Sequence, residues 1–114
     1  MWFPLFINLE NKKILVIGGG KIAAKKIRKI LEYGADITVV TEDVAEKGLL
    51  QLENIKIESN RKIENDKSKI EKLVKGYFLV IAATDNEELN ENVARICDSN
   101  GILINNVSSK IKMN

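Results

Sequence analysis

The chain is 114 residues long, 45% hydrophobic and 30% charged, a composition typical of one globular domain, here residues 1–114, with a sizeable core. Its net charge of +2 is too small to indicate a nucleic-acid partner. It has no histidine and a single cysteine, Cys97, which excludes an internal disulfide, argues against a metal site and suits a reducing cytoplasm. The apolar opening over residues 1–7 is too short to span a membrane.

The first predicted element is an apolar strand, residues 14–17, that leads into three glycines and a helix over residues 21–33. Gly18, Gly20 and Ala23 fit the spacing G-x-G-x-x-A of dinucleotide-binding folds. Gly18 would let the chain turn, Gly20 would let the backbone approach a pyrophosphate, and Ala23 would keep the helix near the sheet. The positive end of the helix dipole would then face the phosphates, so the pattern predicts a dinucleotide site.

Strands and helices alternate through the rest of the chain. Further strands are predicted over residues 36–40, 55–58, 77–83 and 102–107, with helices over residues 44–52, 66–75 and between Asp85 and Gly101. Asp66 and Asp85 are the predicted N-caps of the last two helices. Gly34, Gly76 and Gly101 are expected to end helices. This alternation predicts a Rossmann-type doubly wound α/β fold, three αβα layers around a parallel sheet of strand order 3-2-1-4-5.

Ligands of such sheets bind at the carboxyl ends of the strands, where the strand order reverses. The rule selects four loops as candidate ligand contacts: residues 18–22, 41–43, 84–86 and 107–110. Glu42 and Asp43 come where an acidic residue would accept hydrogen bonds from ribose hydroxyls, although Asp43 could equally cap a helix that begins near Val44. Because two carboxylates would repel the extra phosphate of NADP, we expect NAD.

The remaining polar residues of these loops each have two interpretations. Thr84 and Asp85 would contact the cofactor, or Asp85 would only cap the next helix. Asn105 and Asn106 would grip a ligand or complete a turn. Lys21 opposes the helix dipole, which favours a bound anion close by.

Every charged residue between positions 11 and 29 is basic. This run is either a solvated helix face or a rim that attracts a polyanion. Cys97 falls on an apolar helix stripe and is expected to fill the core.

With these segments in place, the chain resembles the precorrin-2 dehydrogenase domain of sirohaem synthases. The resemblance lies in Phe3-Pro4-Leu5-Phe6, residues 13–23, residues 34–40, residues 80–85, Leu89-Asn90, Gly101 and Asn105. It implies oxidation of the tetrapyrrole precorrin-2 to sirohydrochlorin with reduction of NAD, and in some members insertion of ferrous iron. It also puts Lys21, Ile22, Glu42 and Asp43 on NAD-contacting positions.

Two departures from that family bear on activity. Ser108 stands where the family has an aspartate, and a serine hydroxyl would position the substrate by a hydrogen bond rather than remove a proton. The family also continues beyond this length with helices that form a homodimer and cover the tetrapyrrole. From the resemblance we nevertheless expect an NAD-dependent dehydrogenase domain with Ser108 in its catalytic site. The alternatives are a non-catalytic dinucleotide or tetrapyrrole binder and a scaffold that acts through protein contacts.

Overall fold

The strands and helices form in the order that the hydrophobic pattern predicts. The computed structural model describes residues 4–44, 48, 52 and 55–107. Its elements are β1 (Lys13–Ile17), α1 (Lys21–Leu31), β2 (Asp36–Val40), β3 (Ile55–Glu58), α2 (Lys67–Val74), β4 (Leu79–Ala82), α3 (Glu87–Ser99) and β5 (Leu103–Asn106). None of the helices described is long and apolar enough to cross a membrane.

The five strands form one parallel sheet in the order β3-β2-β1-β4-β5. This arrangement confirms the predicted Rossmann-type fold and its strand order. The chain moves outward from β1 through β2 to β3, then crosses back to β4 on the other side of β1. The order therefore reverses between β1 and β4, and a crevice opens at the carboxyl ends of these strands.

The core consists of two layers, one on each face of the sheet. In β1 the buried side chains alternate: Ile14 and Val16 pack toward α1, whereas Leu15 and Ile17 pack toward α2 and α3. All four are fully buried, and each such aliphatic side chain contributes about 1.5–3 kcal/mol to folding. The central strand is therefore apolar on both faces, as predicted, and helices pack against it from both sides of the sheet.

Most of the predicted helix ends are confirmed. Asp66 caps α2 by accepting a hydrogen bond from the Lys69 N–H at 3.1 Å. Gly34, Gly76 and Gly101 have φ angles of 77°, 89° and 69°, so all three adopt the predicted left-handed conformation after their helices.

The predicted cap of α3 is wrong by one residue. Asn86, rather than Asp85, is the N-cap, and its side chain accepts a hydrogen bond from the Leu89 N–H at 3.1 Å. The N-cap is the residue directly before the first helical residue, and α3 begins at Glu87, so Asp85 lies one residue too early.

Two predicted elements also differ in extent or fall outside the description. β4 runs over Leu79–Ala82 rather than residues 77–83, because the Tyr77 N–H still bonds the Val74 carbonyl of the preceding helix at 3.2 Å. The helix predicted over residues 44–52 and the segment that begins at Ser108 lie outside the described residues, apart from Val44, Gly48 and Leu52.

Candidate dinucleotide-binding site

The turn after β1 is fixed by a close backbone approach. The Gly18 N–H donates to the Val40 carbonyl at 2.9 Å, and the residue has a φ of +127°. A Cβ at this position would lie 2.3 Å from the carbonyl oxygen of Ala83. No side chain fits, so β1 turns directly against the residue that follows β4.

Gly19 makes a second close approach, to the loop after β2. A Cβ here would lie 2.5 Å from the Asp43 carbonyl oxygen and 2.9 Å from Thr41 Oγ1. The glycine turn is thus wedged between the loops that follow β2 and β4. The fingerprint G-x-G-x-x-A leaves this position free, so its spacing does not predict the close approach at Gly19.

Gly20 has the opposite surroundings. It is the N-cap of α1 with extended backbone, its side-chain position meets no atom within 4 Å, and no side chain caps the helix in the part of the chain described. The first N–H groups of α1 therefore face open space with the helix dipole behind them, an arrangement that suits an anion. A Cβ at Gly20 would occupy part of that space, so the residues present fit a pyrophosphate.

A cavity of about 610 Å³ opens above the glycine turn, within the usual range for a small-molecule site. All eight predicted cofactor contacts line it: Gly18, Gly20, Lys21, Ile22, Glu42, Asp43, Thr84 and Asp85. The structure thus brings together residues from three separate loops. Ser108, the predicted catalytic residue, lies outside the described residues.

The loop after β2 is held by Thr41, which is 6% exposed. Its hydroxyl donates to the Asp43 carbonyl at 2.8 Å and accepts from the Asp43 N–H at 3.3 Å. The Glu42 carbonyl in turn accepts from the Asn60 N–H at 3.1 Å, which ties the loop to the end of β3. With the backbone occupied, the carboxylates of Glu42 and Asp43 are exposed at the cavity and form no ion pair among the described residues.

The loop after β4 is held by two side chains. Thr84 Oγ1 lies 2.5 Å from Oδ1 of Asn90 and accepts the Asn86 N–H at 3.2 Å. The buried Asn90 amide also accepts from the Thr84 N–H and donates to the Thr84 carbonyl, at 3.1 and 2.9 Å. Asp85 remains exposed at the rim, free of a capping role.

Several further residues line the cavity. Gly19, Thr41 and Asn86 belong to the loops selected as candidate ligand contacts, whereas Lys62, Ile63, Ala83 and Leu89 were not predicted. Lys62 and Ile63 follow the carboxyl end of β3, so applying the strand-end rule to this strand as well would have found them. Lys62 adds a second cation to Lys21 among the residues that line the cavity, which also include the carboxylates of Glu42, Asp43 and Asp85.

Cys97 lies in the core and does not line the cavity. Cys97 is fully buried, and burial raises the pKa of its thiol to about 11, so it stays protonated at neutral pH and fills the core as predicted.

Asn105 Oδ1 is buried and has no hydrogen-bond partner among the described residues. No group of three or more His, Cys, Asp or Glu side chains in the described part of the chain is arranged to hold a metal ion.

Comparisons with known proteins agree with this geometry. The family described as "Putative NAD(P)-binding" matches residues 5–114. The "Siroheme synthase" of Mannheimia succiniciproducens is 35% identical over 112 residues, which cover 97% of this chain and 22% of that protein. The "Precorrin-2 dehydrogenase" of Bacillus subtilis is 39% identical over 95 residues, which cover 81% of this chain and 54% of that protein.

The solved structure titled "SirC, precorrin-2 dehydrogenase" has the same fold, with a TM-score of 0.74 at 24% identity, and covers 99% of this chain and 52% of that one. The chain thus spans 22% of the length of the first relative and about half, 54%, of the second. The match to the family extends over almost the whole sequence, including the glycine turn and all three loops of the cavity. The chain belongs to this NAD(P)-binding family, and the resemblance to precorrin-2 dehydrogenase domains that its sequence predicts is confirmed.

Proposed function

We propose that the chain is the cofactor domain of an NAD-dependent dehydrogenase that oxidises precorrin-2 to sirohydrochlorin in sirohaem biosynthesis. The observation that carries the proposal is the cavity at the glycine turn, where the uncapped start of α1 meets two loops rich in hydrogen-bonding groups. The similarity to proteins named for this reaction supports the choice of substrate.

Different residues around the cavity would bind different parts of the dinucleotide. Gly20 and the first amides of α1 would hold the pyrophosphate, with Lys21 adding a positive charge beside it. The exposed carboxylates of Glu42 and Asp43 would accept hydrogen bonds from the adenosine ribose hydroxyls. Because the same carboxylates repel a ribose phosphate, the proposal is NAD rather than NADP.

The oxidation needs a hydride acceptor, a proton acceptor and a fixed substrate. NAD, when bound, supplies the hydride acceptor. The candidates for taking up the proton that the macrocycle loses are an acid such as Asp85, which is exposed at the rim, a substrate carboxylate or water. Ser108 would hold the substrate through a hydrogen bond. The basic face of α1, including Lys25 and Lys29, would attract the substrate's carboxylates.

A homodimer and a cytoplasmic location belong to the proposal. Leu5 and Phe6 are 70% and 106% exposed, and such apolar side chains support contact with a second copy. The free thiol of Cys97 supports a reducing compartment.

A non-catalytic binder of dinucleotide or tetrapyrrole is the second candidate, because Ser108 replaces the aspartate of the family. Titration of NAD into the purified chain, followed by anaerobic incubation with precorrin-2 and NAD, separates the two. Appearance of sirohydrochlorin absorbance supports the dehydrogenase. NAD binding without product, with turnover gained in Ser108→Asp, supports the binder. Absence of NAD binding contradicts the dehydrogenase and a dinucleotide binder alike, and leaves only a tetrapyrrole binder.

A further inference from the structure

Asn90 is a buried polar side chain on an otherwise apolar helix face. It is 1% exposed, and its buried neighbours on α3 are Leu89, Val93, Ile96 and Cys97. Burying an amide is unfavourable unless its donor and acceptor are both satisfied. An aliphatic residue would serve the core at least as well, so packing alone gives no reason for asparagine at this position.

The Asn90 amide is satisfied by a single residue, Thr84. Oδ1 accepts from the Thr84 N–H at 3.1 Å and from the Thr84 hydroxyl at 2.5 Å, while Nδ2 donates to the Thr84 carbonyl at 2.9 Å. The Asn90 amide therefore bonds the backbone N–H and C=O of Thr84, as a neighbouring strand would do within the sheet. It takes up both backbone groups of the residue that leaves the sheet two positions after the end of β4.

The segment that Asn90 holds forms one wall of the cavity. Ala83, Thr84, Asp85 and Asn86 all line it, and the Ala83 carbonyl lies where a side chain of Gly18 would have to be. A displacement of Thr84 would therefore move the wall relative to the glycine turn. It would also move Asp85, a candidate proton acceptor, relative to the start of α1.

We infer that Asn90 is a positioning residue for the dinucleotide: through its three hydrogen bonds to Thr84 it fixes the loop over residues 83–86 against the glycine turn and so sets the affinity for NAD. Asn90 lines no part of the cavity itself, and its effect passes through Thr84. This inference rests on the proposed function.

The test compares NAD affinity with stability in Asn90→Ala, Thr84→Val and the double variant. Asn90→Ala removes all three hydrogen bonds to Thr84, and Thr84→Val removes the one made by the hydroxyl. Each change should raise the Kd for NAD about tenfold. The double variant should be little worse than the worse single one, because both changes break the same link. Thr84→Ser keeps the hydroxyl and should therefore bind NAD more tightly than Thr84→Val.

Asn92→Ala is the matched control. It lies on the same helix and its amide donates to Asn65 Oδ1 at 2.5 Å, away from the cavity, so its Kd should stay within about twofold of the natural value. If Asn90→Ala does not fold, Asn90→Ser takes its place, since its hydroxyl can still bond one group of Thr84.

Three outcomes overturn the inference. Variants that lose stability in urea but keep the natural Kd would show a purely structural role. Effects that add in the double variant would show that Thr84 contacts NAD independently of Asn90. Absence of NAD binding to the natural chain would overturn the proposed function as well, whereas the first two outcomes leave that function intact.

Discussion

Among single residues, the two ends of the glycine turn have different requirements. Gly18 is needed for the fold, because a Cβ would lie 2.3 Å from a backbone oxygen, and a backbone oxygen cannot move aside as a flexible side chain can. Gly20 has free space around it, so its lack of a side chain serves a ligand rather than the packing. Substitution of Gly18 should therefore reduce the stability of the fold, whereas substitution of Gly20 should reduce the binding of a ligand.

We predict that Gly18→Ala loses about 3 kcal/mol of unfolding free energy or more, from a steric clash and a φ of +127° that alanine rarely adopts. Gly20→Ala should lose less than about 1 kcal/mol, since alanine is only a poorer N-cap. It should nevertheless weaken NAD binding at least tenfold. Urea denaturation and calorimetric titration measure the two effects, and a Gly20→Ala variant that binds NAD normally would contradict the pyrophosphate assignment.

Glu42 and Asp43 offer a second test at this scale. Replacing both by their amides, Glu42→Gln and Asp43→Asn, removes the repulsion of a ribose phosphate while keeping side chains of the same size. The ratio of NADP to NAD affinity should rise about tenfold at low salt and less at high salt. Asp98→Asn at the far end of α3, an exposed acid that does not line the cavity, serves as the control. An unchanged ratio would remove these two residues from the ribose site.

At the scale of elements, the hydrophobic pattern and helix-ending glycines were sufficient to predict the strands and most helix ends. The cap of α3 was not predictable in the same way. Asp85 and Asn86 are adjacent, both residue types cap well, and the choice depends on the Thr84 hydroxyl, which bonds the Asn86 N–H. The end of β3 differs in this respect. Lys62 and Ile63 follow this strand and line the cavity, so the strand-end rule that selected the other loops, applied to β3, would have selected them as well.

The corrected cap gives a prediction for α3. Asn86→Ala should destabilise the chain by about 1 kcal/mol, because the Leu89 N–H loses its acceptor. Asp85→Ala should change stability by less than about 0.5 kcal/mol, as an exposed residue outside the helix. Asp66→Ala provides the reference, since Asp66 caps α2 in the same manner. Equal losses in Asp85→Ala and Asn86→Ala would contradict the assignment of Asn86 as the cap.

For the molecule as a whole, the strand order brings the parts of the cavity together. The carboxyl ends of β2, β1 and β4 lie side by side, so residues far apart in sequence reach one cavity without any long loop. α1 packs on one face and α2 and α3 on the other. A ligand that bridges the loops after β2 and β4 therefore connects the two halves of the sheet and should stabilise the entire fold.

This coupling predicts a large thermal shift with NAD. At a concentration one hundred times its Kd, a ligand that binds only the folded chain adds about 2.7 kcal/mol, which for a domain of this size corresponds to a rise in Tm of roughly 10 °C. NADP at the same concentration should raise Tm less, since Glu42 and Asp43 disfavour it. With a Kd at least tenfold higher, Gly20→Ala should lose about half of the shift with NAD or more, while its own Tm stays close to that of the natural chain. Scanning calorimetry measures all three. A Tm that does not respond to NAD at any soluble concentration would mean that the cavity above the glycine turn holds no dinucleotide, because binding there must stabilise the sheet that forms it.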